Sequence, residues 1–446
     1  MSLNKNINFI NFIENNEDSS FGCSDILDRI GVILLCGGEG KRLSPLTQTR
    51  CKPAVSFGGR YKLIDIPISH AITSGLSRIF VIGQYLTHTL QNHIFGSCHY
   101  PRGNTEPLIH LLSPEGENPV CYKGTADAVR QNISYFEQFD LDYFLILSGD
   151  QLYNINFQEM IGYARKVDSD MLIAAQPIPE KDVSRMGILK IDESNGQVID
   201  FFEKPESESV IESFKISEEM MSKFKFGRDA SLFLGSMGIY LFKKESLFSL
   251  LTEDPRDDFG KHLIHSQINK KGLFVFLFDG YWADIGTIES YYEANLKLIR
   301  KRPEESGKGL CCYDNRGTIF SYHHNLPGAI INNSLISNSL ICEGCVVDQA
   351  SVSGSVLGVR TTIGENTRIS DSVILGNEYY GGNVGISSDC VIEKSIVDEN
   401  AFLGKGVQLI NKQGFINFDS EDNNISVRDG IIVVPKGTIL PDYYVF

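Results

Sequence analysis

The sequence predicts an α/β domain with a mostly parallel sheet, followed by a parallel β-helix, and three observations carry that reading. Between Gly31 and about Arg300, short aliphatic or aromatic runs alternate with amphipathic stretches, as when strands and helices alternate along the chain. The first run, Val32 to Leu35, breaks into the glycine turn Cys36-Gly37-Gly38-Glu39-Gly40. From about Leu326 aliphatic residues recur every six positions, which neither a helix period nor a strand period yields.

The 446 residues suggest two to four domains, and 42% hydrophobic with 22% charged residues is ordinary globular composition. A net charge of −15 argues against non-specific binding to nucleic acid or anionic membrane, both of which favour basic surfaces. The ten cysteines are scattered through the chain and do not form a disulfide framework, which fits a reducing compartment. Cys342-x-x-Cys345 invites a zinc reading with Cys311 and Cys312, but a lone CxxC inside a repeat reads as turn and core filling.

Residues 1–30 read as a polar lead-in, Asn-rich and without the apolar core of a signal peptide or the Arg/Ser bias of a transit peptide. No apolar run approaches the ~20 residues that span a bilayer. A soluble cytoplasmic protein is expected. Candidate strands after the first are Ile79 to Gly83, Phe144 to Leu147, Met171 to Ala175 and Leu273 to Phe278. In open α/β sheets ligands sit at the carboxyl ends of strands, so the residues after these runs are where chemistry is expected. Glu289 to Leu298 reads as a helix closing a domain over 31–300, and 301–325 as a Pro- and Gly-containing linker.

The glycine turn lets backbone approach a ligand closely, and Lys41, Arg42, Arg50 and Lys52 concentrate cations beside it in an acidic chain. Glycine-lined N–H groups with nearby cations suit a polyphosphate. The spacing is neither that of a P-loop nor that of the dinucleotide motif G-x-G-x-x-G.

In the last part, residues 326–446, the hexad runs through Leu335, Ile341 and Val347; then Leu357, Ile363, Ile369 and Leu375; then Val391, Val397, Leu403 and Leu409. That period stacks aliphatic corners into a ladder along a parallel β-helix. The stretches Gly376 to Gly385 and Asn411 to Arg428 interrupt it and read as extruded loops. No histidine follows His324, which excludes a hexapeptide-repeat acyltransferase with a catalytic histidine on the coil.

GGEGKRLSPLT followed by RCKPAV is similar to the signature of the sugar-1-phosphate nucleotidyltransferases, and GGRYKLIDIPISHAITSG narrows the resemblance to the glucose-1-phosphate adenylyltransferases. The resemblance implies a Rossmann-like catalytic domain and a left-handed β-helix, transfer of adenylyl from ATP to glucose 1-phosphate, Mg²⁺ as cofactor and a homotetramer. It also implies glycolytic-intermediate activators and AMP- or phosphate-type inhibitors.

Residue by residue, the resemblance implies Gly37, Gly38, Gly40, Gln84, Tyr122, Gly124, Thr125 and Ala126 around the nucleotide, with Gln84 at adenine. Arg42 and Lys52 would meet the ATP phosphates. Asp150 and Asp284 would hold the metal, Asp284 also lying on the sugar-phosphate side. Gly187, Glu203, Lys204 and Ser236 would bind the sugar phosphate. Lys436 matches an effector lysine, while the family's other effector lysine falls on Glu393, beside Lys394. The sequence departs from the family at Lys41 (usually Thr), Met186 (usually aromatic) and Ala283 (often Glu), and Thr49 stands where some members carry an effector lysine. Read without the resemblance, GTADAV is also a helix start with Thr125 as N-cap. A non-catalytic subunit would typically have lost a metal aspartate or a phosphate-binding cation, and none is lost here.

Overall fold

The computed structural model describes residues 26–96, 107–114, 121–221, 232–268, 270, 272–300, 310, 312, 318–322, 325–382 and 384–446. Most of the lead-in and of the 301–325 linker, and Cys311 with them, lie outside the described residues.

Among the described residues nine strands form the central sheet of the first domain. They are β1 (Ile30–Cys36), β2 (Arg78–Gly83), β3 (Leu108–Leu112), β4 (Tyr143–Ser148), β6 (Met171–Pro179), β7 (Gly187–Asp192), β8 (Gln197–Glu203), β9 (Leu232–Lys243) and β10 (Leu273–Leu277). The order across the sheet is β3-β2-β1-β4-β9-β6-β10-β8-β7. A separate two-stranded sheet pairs β5 (Gln151–Tyr153) with β11 (Trp282–Asp284). The strands predicted from apolar runs are all present; four are longer than the run by one to four residues, and Leu273–Leu277 is one residue shorter than expected.

The sheet is parallel from β3 to β4. Beyond β4 it is mixed, because β9 runs antiparallel to both β4 and β6, while β10 is again parallel to β6. The apolar β1, whose Val32, Ile33 and Leu34 are completely buried, sits in the parallel half of the sheet, where strands are buried on both faces. A β-bulge between Ser236 and Tyr240 breaks the register of β9, with Gly238 in the left-handed region at φ 68°.

The last part is a parallel β-helix of three sheets with six, five and seven strands. Its core is three ladders. One runs Val347, Ile363, Ile386, Leu403, Leu440. A second runs Ile336, Val352, Ile369, Ile392, Leu409. The third runs Ile341, Leu357, Ile374, Val397, Val434.

The predicted hexad therefore holds at most positions and slips by one at three. Leu335 is 77% exposed, and Ile336 occupies the ladder. Val391 yields to Ile392. Leu375 is buried, but on the outside of the coil against the first domain, while Ile374 faces inward. The slips arise because adjacent aliphatic residues alternate faces, and the period alone cannot choose between them. The interruption at Gly376 to Gly385 lengthens one turn of the coil. That at Asn411 to Arg428 is not only loop: Phe418–Asp419 and Ser426–Arg428 form a hairpin that adds to the third sheet.

The two parts share a second apolar core. Phe57, Leu63, Tyr291 and Tyr292 of the first domain pack with Val356, Val373, Ile396 and Val433 of the coil. The closing helix (Ile288–Arg300) contributes the two tyrosines, and Tyr292 Oη donates to the Asp371 carbonyl of the coil.

Candidate active site

The carboxyl ends of β1, β2 and β4, the bulged middle of the antiparallel β9, and β5 with β11 open onto one cleft of about 1510 Å³. That exceeds the ~300–1,000 Å³ of a typical single-ligand site and suits two substrates side by side.

At its floor, β1 ends at Cys36 and the glycine turn follows. Gly37 and Gly38 line the cleft. Gly40 does not. It takes φ 69° at the start of a short 3₁₀ turn, Lys41–Leu43, where only a glycine turns without strain, so it shapes the loop rather than touching a ligand. Of the four clustered cations only Arg42 and Lys52 reach the cleft. Lys41 pairs with Glu39 at 2.8 Å on the surface, and Arg50 is buried on the opposite side against the β-helix.

Asp150 follows β4 and receives Lys52 Nζ on Oδ2 at 2.5 Å and Ser148 Oγ on Oδ1 at 2.5 Å. Burial pushes the Asp150 carboxyl up, but the Lys52 ammonium and these hydrogen bonds outweigh it and hold the group below its usual value. Asp284 lies next to it because β5 and β11 pair Gln151 with Asp284. Asp284 opens to the cleft yet is hemmed in by its walls. That enclosure and then the Asp150 charge raise its pKa, against the opposing pull of Lys52, Arg42 and Lys204. Arg42 comes to the same place: a Cβ at Gly286 would lie 3.3 Å from Asp284 Oδ2 and 3.7 Å from the Arg42 guanidinium.

The Asp150 charge raises the cost of ionising Asp284 beside it, and such a pair is a donor set that a hard divalent cation relieves. No cluster of three or more His, Cys, Asp or Glu that could hold a metal occurs among the described residues. A cation here would complete its shell with water and substrate oxygens, which is how Mg²⁺ is usually held.

On the side expected to take the nucleotide, Gln84 Nε2 donates to the carbonyls of Gly37 at 3.0 Å and Tyr122 at 3.4 Å. Both its donors are thereby used, so the expected two-way pairing with an adenine edge reduces to its Oε1, a buried acceptor without a partner. Tyr122, Gly124 and Thr125 line the cleft; Ala126 is completely buried in the core. The GTADAV segment is a helix start, α1 (Thr125–Arg130), with Gly124 rather than Thr125 at the N-cap. The Asp257 carbonyl takes the N–H groups of Ala126 and Asp127, while Thr125 Oγ1 donates to Asp258 and accepts from the Phe259 N–H. The DDFG segment is thus the cap of this helix.

On the other side, Gly187, Glu203, Lys204 and Ser236 all line the cleft. A side chain at Gly187 would meet Phe201 at 2.5 Å and Glu203 Oε2 at 2.8 Å, so glycine there leaves the Glu203 carboxylate its place. Lys204 holds φ 50°, rare for a lysine, and its Nζ lies 3.4 Å from Glu203 Oε1 with the side chain half exposed. Ser236 Oγ accepts the Gly238 N–H across the bulge.

Sequence reasoning passed over several lining residues: Gln151, Lys181, Asp182, Arg185 and Lys297. Gln151, 6% exposed, donates to the Met237 carbonyl and keeps a buried Oε1 without a partner. Its place directly after Asp150 was the available signal. Lys297 comes from the closing helix, and nothing local in its sequence announces the cleft.

The two lysines on which the resemblance places or borders an effector position, Lys436 and Lys394, fall at opposite ends of one strand pair. Lys394 precedes Ser395–Val397 and is exposed, whereas Lys436 follows Ile431–Val434 and is bound to Glu378 at 2.7 Å and Glu399 at 3.1 Å.

Residues 31–301 match the family Nucleotidyl transferase, and residues 324–445 match the GLGC left-handed parallel beta-helix domain. Among the described residues no helix is long and apolar enough to cross a membrane. With the cleft at the carboxyl ends of its strands and the family matched over more than half its length, the chain belongs to the nucleotidyl transferases and carries a left-handed β-helix as its second domain.

Proposed function

We propose that this enzyme transfers adenylyl from ATP to α-glucose 1-phosphate, giving ADP-glucose and pyrophosphate, with Mg²⁺ as cofactor. The observation that carries the reading is the single cleft lined by Arg42, Lys52, Asp150 and Gln84 on one side and by Glu203, Lys204 and Ser236 on the other. A phosphate oxygen of glucose 1-phosphate attacks the α-phosphorus of ATP, the bond to the bridging oxygen breaks, and pyrophosphate leaves with that electron pair. No covalent enzyme intermediate is needed, so the protein's part is positioning and charge neutralisation.

Gln84 Oε1 accepts from the adenine amino group. The turn at Gly37 and Gly38 brings backbone to the triphosphate, with Arg42 and Lys52 neutralising charge that builds on the leaving phosphates. Lys204 fixes the nucleophile's phosphate as a point charge, and Glu203 accepts from sugar hydroxyls. Asp150 and Asp284 would hold the Mg²⁺, which would supply Lewis-acid stabilisation of the phosphate oxygens. Lys52 then exchanges Asp150 for substrate phosphate.

The test is pyrophosphate release with Mg²⁺, pairing each nucleoside triphosphate with each hexose 1-phosphate, for wild type and Asp150→Asn. Release only with ATP and glucose 1-phosphate, lost in the variant, supports the reading. Turnover with another pair keeps the mechanism and replaces the substrate. Silence from every pair in folded protein points to a non-catalytic subunit.

A further inference from the structure

The segment that carries Lys52 is tied to the β-helix by a buried charge cluster that the transfer reaction does not use. Glu399, on the coil two residues after Ser395–Val397, has both carboxylate oxygens saturated. Oε1 accepts from Ser56 Oγ and from Lys62 Nζ at 2.6 Å. Oε2 accepts from Arg50 at 2.8 Å and Lys436 at 3.1 Å. Asp398 beside it takes the other arm of Arg50 at 2.5 and 2.6 Å. Arg50, Asp398 and Glu399 side chains are only 5%, 1% and 8% exposed.

Three of the four groups on the Glu399 carboxylate, Arg50, Lys62 and Ser56, belong to the first domain. Only Lys436 shares the coil with it. Burial disfavours the Glu399 charge, yet Lys62, Arg50 and Lys436 together hold its pKa well below the usual carboxylate range. Arg50 stands two residues before Lys52, and the intervening Cys51 is buried with its N–H on Thr89 Oγ1. There is little slack between the cluster and the cleft.

We propose that Glu399 is a tethered anion: its carboxylate fills a cradle of three cations and a hydroxyl built by both domains, and filling it positions the Arg50–Lys52 segment for catalysis. Glu399 acts through Arg50 and touches no substrate, so it is a positioning residue. Truncating it leaves three cations around an emptied, carboxylate-shaped space, which a small free carboxylate fills. Arg50 would keep Asp398 and Lys436 would keep Glu378, so the truncation leaves Lys62 without its carboxylate and the cluster one negative charge short, the cost of breaking a buried pair singly. The consequence for catalysis rests on the reading of Lys52 given above; the cradle itself does not.

The experiment compares wild type, Glu399→Ala and Glu399→Gln by thermal midpoint and by pyrophosphate release, titrating acetate against chloride at constant ionic strength. Glu399→Ala is expected to lose about 10–100-fold in kcat with KM for both substrates changed far less, as for a misplaced catalytic group. Acetate should restore both kcat and the midpoint saturably in Glu399→Ala, and change neither in wild type nor in Glu399→Gln, where the amide still fills the space. Wild-type kcat in Glu399→Ala overturns the positioning role, and an acetate effect no larger than that of chloride overturns the cradle. If Glu399→Ala does not fold, Glu399→Gln decides, because it keeps the shape and loses the charge: reduced kcat with unchanged KM supports the proposal and wild-type kcat overturns it. If wild type itself releases no pyrophosphate with any pair, the functional reading fails, while the midpoint titration still decides the cradle.

Discussion

Lys52 Nζ lies 2.5 Å from Asp150 Oδ2, so the cation suited to a phosphate and the carboxylate suited to a metal neutralise each other across the cleft floor. If both act in the transition state, Lys52→Met and Asp150→Asn each lower kcat by about 10²–10³-fold, the loss typical of one removed electrostatic stabiliser. Their metal affinities separate them. Asp150→Asn weakens Mn²⁺ binding measured by titration in the absence of nucleotide. Lys52→Met strengthens it, because the carboxylate loses its competing ammonium. Equal metal affinity in wild type and Lys52→Met would show that Lys52 does not compete for Asp150.

Gly124 packs against the backbone that caps α1. A Cβ there would meet the Asp257 carbonyl oxygen at 2.4 Å and its carbon at 2.9 Å, and neither can rotate away. Gly124→Ala should therefore cost about 1–3 kcal/mol of stability, the usual range for overpacking. It should also raise KM for the nucleotide more than KM for the sugar phosphate, since the shifted helix start lines only the nucleotide side. Equal effects on both KM values would count against that division of the cleft.

Gln84 tests the base. Its amide nitrogen is fixed by two backbone carbonyls, which leaves Oε1 as a lone acceptor facing a base that offers a donor in adenine and an acceptor in hypoxanthine. Wild type should prefer ATP to ITP, and Gln84→Leu should reduce that preference by about 10-fold or more, as expected when one buried hydrogen bond sets the discrimination. An unchanged ATP/ITP ratio would move base recognition elsewhere in the cleft.

Much of this architecture was legible because it is local. The aliphatic runs at Val32, Ile79 and Phe144 mark buried parallel strands, and the residues that follow them line the cleft. What stayed hidden depends on tertiary contact. Arg50 and Lys52 look alike in sequence, yet one faces the β-helix and the other the cleft. Thr125 looks like an N-cap, but Asp257, 132 positions away, supplies the acceptor. Lys436 stands out only as a match to an effector lysine, and only the folded coil brings Glu378 and Glu399 to it.

The register of the coil can be tested by pairs of neighbours. Ile392 is fully buried in a ladder between Ile369 and Leu409, whereas Val391 beside it points outward and is only partly buried. Ile392→Ala should cost about 2–5 kcal/mol and Val391→Ala well under half of that. Leu335→Ala, at a side chain 77% exposed, should stay within about 0.5 kcal/mol of wild type. Reversed costs at 391 and 392, measured by chemical denaturation, would restore the plain hexad.

His70 gives the fold a pH dependence of its own. It is 3% exposed, its ring lies 5.6 Å from that of Tyr153, and its Nε2 is buried without a partner. Burial lowers its pKa to about 4. In the unfolded chain a histidine takes its proton near pH 6.5. Between those values the unfolded chain holds a proton that the folded chain does not, so stability falls as the pH drops from about 6.5 towards 4. The contribution lost across that window is on the order of 2–4 kcal/mol, because a tenfold change in proton affinity between the folded and unfolded chains corresponds to about 1.4 kcal/mol. Carboxylates titrate in the same window, but they do so equally in His70→Gln, which lacks the imidazole. The difference between the wild-type and variant urea midpoints, followed from pH 7 to pH 4.5, therefore isolates His70. It should shrink or change sign in favour of the variant as the pH falls; parallel profiles would mean that His70 is protonated in the fold or that its burial is relieved before it titrates.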